Sequence, residues 1–154
     1  MIFEILALVG ILNKTPGGEE MKKRFKPAEP IITEMGTLTV TPGDIDLLER
    51  VVMSEAGNQT IEAQEAVATV ILNRWLCTSK YPDTIPDVIY AANQFSTYDN
   101  GDPTVSVQTA VHNAIAYYGT SCQIIPADVF YFRSGHYHDW AEAYCNFDDM
   151  YFSC

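Results

Sequence analysis

The sequence predicts a mainly helical α+β domain with a small antiparallel sheet late in the chain. Three observations carry this. Apolar residues recur at helical spacing on both sides of Gly57 and again from Thr104 to Tyr118. Prolines and glycines cut the chain between those runs, at Pro82, Pro86, Gly101 and Pro103. Two short aromatic-rich runs, at 129–133 and 150–153, then read as strands. With 154 residues and 47% of them apolar, the chain is long enough to bury one core.

The first forty residues differ in kind from the rest. Residues 2–12 are apolar apart from Glu4, and the run is too short to span a bilayer. It lacks the basic start and the small-residue cleavage site of a secretory signal. Thr15-Pro16-Gly17-Gly18, the basic run Lys22-Lys23-Arg24-Phe25-Lys26 and then Pro27-Ala28-Glu29-Pro30 read as linker. The division expected is an N-terminal arm and linker over 1–40 and a folded domain over 41–154. An apolar segment backed by a basic patch would suit a membrane surface; a loosely attached arm with no separate role is the simpler reading.

The domain opens at Thr41-Pro42-Gly43-Asp44, which supplies a hydroxyl N-cap, a proline at the first helical position and a carboxylate in the first turn. Ile45, Leu48 and Val52, flanked by Leu47 and Val51, make an apolar face. Gly57 is a residue able to leave the helix with positive φ. Thr60 caps a second helix whose apolar face is Ala63, Val67, Val70, Ile71 and Trp75. Glu55 sits at the junction. Partial burial and the negative end of its own helix both favour its protonated form there. A carboxyl kept protonated near neutral pH is what a general acid needs to be. The plainer alternative is a solvated glutamate in a last helical turn.

Further on, Glu62 and Glu65 read as solvated faces of the second helix, and Asn73 and Arg74 as residues that close it. Thr84 caps a short helix over 86–91, and 98–103 is a turn. A helix over 104–118 turns Val107, Ala110, Val111, Ala114, Ile115 and Tyr118 inward and stops at Gly119.

Charge narrows the function. From Pro27 onward seventeen acids face four bases, a net −13, whereas the residues before it carry +2. So acidic a domain does not suit DNA or RNA, whose affinity rests on neutralised phosphates. His136 and His138 would share a face only on a strand, and neither Cys nor acid stands at a convincing third position, so no metal and no organic cofactor is expected. Neither a G-x-S-x-G elbow nor a glycine-rich phosphate loop is present. Cys77, Cys122, Cys145 and Cys154 form no C-x-x-C pair. Three of them fall in the last thirty-three residues, which suggests a disulfide in the C-terminal lobe, with Cys122–Cys145 the candidate. Buried free thiols are the alternative.

Several segments, taken together, resemble a known family. Ser54-Glu55-Ala56, Gln64-Glu65-Ala66-Val67-Ala68 and Val70-Ile71-Leu72-Asn73-Arg74 are similar to the signature of the SleB/CwlJ-type cell-wall hydrolases, the spore cortex-lytic enzymes and their phage and bacterial relatives. Tyr81-Pro82-Asp83-Thr84-Ile85-Pro86-Asp87-Val88-Ile89-Tyr90 and Gln94-Phe95-Ser96 resemble a second block of that family, and Val129-Phe130-Tyr131-Phe132 with Trp140 its closing strand region. The resemblance spans roughly residues 44–152. It implies a lysozyme-like cleft, peptidoglycan glycan strands as partner, and a place outside the cytoplasm or at the wall, in spore, wall or phage lysis. It also implies a lytic transglycosylase in which Glu55 acts as acid and then as base. Gln94, Phe95 and Ser96 would form the groove edge, and Tyr131 would face Glu55 across the cleft. The chain departs from the family at Asn58-Gln59, where relatives commonly carry Gly-Glu. Gln59 cannot act as a base but can hydrogen-bond a sugar amide or hydroxyl. A monomer is expected. A wall amidase and a non-catalytic wall-binding module are the competing classes; the first would normally want zinc, and the second draws on the missing second acid.

Overall fold

The computed structural model describes residues 28–33, 36–95 and 101–154. Its helices begin where a threonine hydroxyl can accept from the third backbone N–H. Thr41 caps α1 (Pro42–Ala56) and forms a full capping box, its Oγ1 accepting from Asp44 N at 3.2 Å while its own N–H donates to Asp44 Oδ2 at 3.0 Å. Thr60 caps α2 (Ile61–Leu76), Thr84 caps α3 (Ile85–Tyr90) and Thr104 caps α4 (Val105–Tyr117) in the same way. Gly119, with φ of 74°, ends the last of these runs.

The second helix is the axis of the fold. Residues 63 to 74 are all buried, and α2 packs against α1, α3, α4 and the late sheet. A helix buried on every side is a core helix, not an amphipathic one; the one-sided face read from the sequence was too narrow. Glu65 is accordingly not a solvated residue. It is 8% exposed, accepts a hydrogen bond from Asn113 Nδ2 at 3.2 Å, and burial raises its pKa.

Residues 29–40, assigned to the arm and linker by their prolines, form a hairpin of β1 (Glu29–Thr33) and β2 (Gly36–Val40), paired from Glu29–Val40 to Thr33–Gly36. Ile31 and Val40 on its inner face are buried in the core, and Glu29 reaches His112 Nδ1 on α4 at 3.0 Å. The folded unit thus starts before residue 41. The arm before residue 28 lies outside the described residues.

The late sheet has three antiparallel strands in the order β3 (Tyr131–Ser134), β5 (Met150–Ser153), β4 (Ala143–Phe147). The sequence reading supplied β3 and β5 and missed β4, an edge strand with a bulge between Ala143 and Cys145. Phe152 on the central strand is fully buried. All four cysteines are free thiols, so the expected Cys122–Cys145 bridge is replaced by an exposed Cys122 and a half-buried Cys145 on β4.

Candidate active site

Glu55 stands half-buried in the last turn of α1. A helix end leaves carbonyls without intrahelical donors, and here one buried side chain supplies them. Gln64 on α2 donates from Nε2 to Ala56 O at 3.1 Å, Gly57 O at 3.4 Å and Gln59 O at 3.1 Å, while its Oε1 accepts from Ser106 Oγ at 2.7 Å. The turn that carries Glu55 is therefore tied to α2 and α4. Gly57 is not in the left-handed region the sequence suggested: its φ is −60°. Glycine is required for space instead, because a Cβ would collide with Met53 O and lie 2.8 Å from Met53 Sδ.

The facing wall comes from the sheet, and the end of α2 holds it. Asn73 Nδ2 donates to Pro126 O and Val129 O, both at 2.9 Å, and Asn73 Oδ1 accepts from Tyr118 Oη at 2.8 Å. Burial pushes the Tyr118 hydroxyl up to about 12. Arg74 Nε donates to Phe130 O at 2.8 Å, which fixes the entry to β3.

Between the two walls lies a cavity of about 270 Å³ lined by Glu55, Arg74, Gln94, Phe132, Arg133, Ser134 and Met150. Among the described residues that line it, Glu55 is the one carboxylate. Arg74 lies at its base, 5% exposed, with Nη1 donating to Gln94 Oε1 at 2.9 Å and its guanidinium 5.0 Å from the Phe95 ring centre. Burial pulls the Arg74 pKa down, but a guanidinium stays cationic. Such a site can donate and retrieve a proton at Glu55 and hydrogen-bond a polar ligand from Gln94, Arg133 and Ser134.

This architecture is shared with solved structures. The catalytic domain of the Bacillus cereus SleB protein matches with a TM-score of 0.61 at 23% identity, over 74% of this chain and 91% of that one. The catalytic domain of the germination-specific lytic transglycosylase SleB from Bacillus anthracis matches with a TM-score of 0.58 at 24% identity, over 72% of this chain and 93% of that one. At those identities the likeness is one of fold. Residues 58–152 match the family described as Cell Wall Hydrolase. The chain belongs to the cell wall hydrolase family. A spore cortex-lytic enzyme of Oceanobacillus iheyensis is 38% identical over 76 residues, 47% of this chain, and the match spans only 27% of that relative's length. The family match begins at Asn58, so Glu55 precedes it by three residues.

In this cell wall hydrolase, two of the sequence-predicted site residues, Glu55 and Gln94, meet at the cavity. Phe95 packs instead against Phe132 and under Arg74. Gln59 turns its Oε1 to Asp149 N at 3.3 Å, joining the Glu55 turn to the β4–β5 turn. Ser96 lies outside the described residues. Tyr131 is not among the lining residues, whereas Phe132, Arg133 and Ser134 of the same strand are. Tyr131 accepts from Lys80 Nζ at 2.8 Å, which lowers its pKa, and packs edge-on against Trp140 with ring centres 4.8 Å apart. His138 lies in that ring cluster, 4.7 Å from Trp140.

Arg74 and Arg133 are the site residues that sequence reasoning missed. Arg74 was read as closing a helix, which it does through Phe130 O, but it also lines the cavity. The available signal was an arginine in a run otherwise fit for burial, a position that needs partners. Among the described residues no group of three His, Cys, Asp or Glu is placed to hold a metal ion, and no helix is long and apolar enough to cross a membrane.

Proposed function

We propose that this chain cleaves the glycan strand of peptidoglycan between N-acetylmuramic acid and N-acetylglucosamine, as a lytic transglycosylase with Glu55 as its single acid and base. The observation that carries the reading is that Glu55 is the one carboxylate among the described residues lining the cavity. A hydrolase of the usual kind places a second acid on the opposite wall to activate water or attack the sugar. Here that wall presents Phe132, Arg133, Ser134 and Met150.

The steps follow from one carboxyl. Glu55 gives its proton to the glycosidic oxygen as the C1–O bond breaks, and the N-acetylglucosamine leaves as an alcohol. The acetamido oxygen of the muramic residue stabilises the electron-poor C1. Glu55, now a carboxylate, takes the proton from the muramic C6 hydroxyl as that oxygen bonds to C1. The product is a 1,6-anhydro sugar, Glu55 is protonated again, and water is not consumed. Membership in the cell wall hydrolase family supports a wall substrate, and the likeness to the Bacillus anthracis germination-specific lytic transglycosylase supports this reaction over hydrolysis. The work would be done outside the cytoplasm, at the wall.

Mass spectrometry of digested wall tests the proposal. Anhydro-muropeptides are expected. Reducing-end sugars would mean hydrolysis, and freed peptides would mean an amidase.

A further inference from the structure

The domain is acidic almost everywhere, yet its cations gather at one place. From Pro27 onward there are seventeen acids and only four bases, Arg50, Arg74, Lys80 and Arg133. Arg50 pairs with Asp46 at 3.0 Å on α1. Two of the other three belong to the cavity that Glu55 lines. Arg74 and Arg133 form part of its wall, and Lys80 lies against Tyr131, whose ring centre is 5.9 Å from the Arg74 guanidinium carbon.

None of these three has a carboxylate within ion-pair distance among the described residues. Arg74 spends two of its five N–H donors on neutral acceptors, Phe130 O and Gln94 Oε1, although it is buried. A buried cation without a counter-ion is costly. With seventeen acids from Pro27 onward, a site that lines one cavity with two cations, neither ion-paired among the described residues, is prepared for an anion from outside. The acidity of the remaining surface does not set the sign of the potential here, because near charges dominate within a screening length of about 10 Å.

We propose that the cleft recognises a carboxylate on the glycan, with Arg133 and Arg74 as its receptor. The inference rests on the glycan-cleaving reading and sharpens its substrate class. Muramic residues carry such a group, either as the lactyl carboxylate or on an attached stem peptide, whereas a strand of N-acetylglucosamine alone carries none. The guanidinium fork suits a carboxylate geometrically as well as by charge.

Binding measured on the Glu55→Gln protein separates recognition from turnover. Three oligosaccharides of equal length serve as probes: a muramic-containing glycan with free lactyl carboxylates, the same glycan bearing stem peptides, and an uncharged N-acetylglucosamine oligomer. At least one anionic glycan is expected to bind roughly 10- to 100-fold more tightly than the neutral one, the range of a charge-assisted hydrogen bond. Whichever of the two binds tightest identifies the carboxylate. The preference should shrink in high salt, fall away in Arg133→Gln and persist largely in Arg133→Lys, with melting temperatures unchanged. Arg133 is half-buried on an outer strand, so its replacement does not threaten folding as that of Arg74 would. Equal, salt-insensitive binding of the neutral oligomer would overturn the proposal and leave glycan cleavage standing. Failure of all three to bind would overturn both.

Discussion

The two walls of the cleft are built by different means. The Glu55 wall is made of residues close in sequence: α1, a tight turn, and Gln64 eight residues after the Ala56 carbonyl it satisfies. The sheet wall is made at long range, with Asn73 and Arg74 reaching acceptors 53 to 56 positions away. The first wall can be read from caps, a glycine and a spacing. The second exists only when distant backbone carbonyls find the end of α2. The carboxylate proposed to be catalytic and the groups that would orient its substrate therefore depend on separate kinds of information.

That contrast can be broken from either side. The largest effect is expected from removing residues 1–40, which a self-sufficient pair of walls would tolerate. Loss of the buried Ile31 and Val40 should cost roughly 3–6 kcal/mol, at about 1.5–3 per buried side chain. Denaturant unfolding of a chain beginning at Thr41 measures it, and an unchanged midpoint would return the hairpin to the arm. Next in size is Asn73→Ala, which orphans Pro126 O, Val129 O and the Tyr118 hydroxyl together. At about 1–3 kcal/mol for a buried group left unpaired, a loss of roughly 2–4 kcal/mol is expected, with lower wall-lysis activity as the sheet wall loosens. A fully stable and active variant would show that the long-range pins do not hold that wall.

The smallest effect sharpens the helical side. Burial raises the Glu65 pKa, so the native state binds its proton more tightly than the unfolded chain does. The stabilisation this gives is complete at low pH and is lost as pH rises through the folded-state value. Glu65→Gln, which does not titrate and can still accept from Asn113, should therefore gain on wild type as pH rises from acid to neutral. Its lytic activity should be near normal. Melting temperatures across that pH range check the trend, and a variant that loses ground on going to neutral pH would contradict it.

The same division governs what was legible beforehand. The caps Thr41, Thr60 and Thr84 and the place of Glu55 between two helices could be read, because their signals are local; Thr104 was not singled out as a cap, and Gln94 entered through the family resemblance. The β1–β2 hairpin was hidden by Pro27 and Pro30, which look like linker although Pro30 sits in a strand that pairs on one side only. The edge strand β4, Ala-Tyr-Cys-Asn-Phe, is mostly exposed and lacks clean alternation. Tyr131 was expected to face Glu55, but its hydroxyl is held by Lys80 while Phe132, Arg133 and Ser134 line the cavity, a choice that the aromatic run alone does not make. Arg133 was missed because what marks it, a place on a cavity, has no sequence pattern, and Arg74 because its position in a buried run was read only as a helix end.

The central claim is that one carboxylate does the chemistry, and Glu55→Gln tests it most directly. The variant keeps the size and hydrogen-bonding capacity of the side chain but loses the proton it must give and take back. Wall-lysis rate is measured beside wild type and Glu65→Gln, with melting temperature confirming a folded protein. The account predicts near-unchanged stability and a rate lower by at least about 10²–10⁴-fold, the usual contribution of general acid–base catalysis. A Glu55→Gln protein that lyses walls like wild type would contradict it.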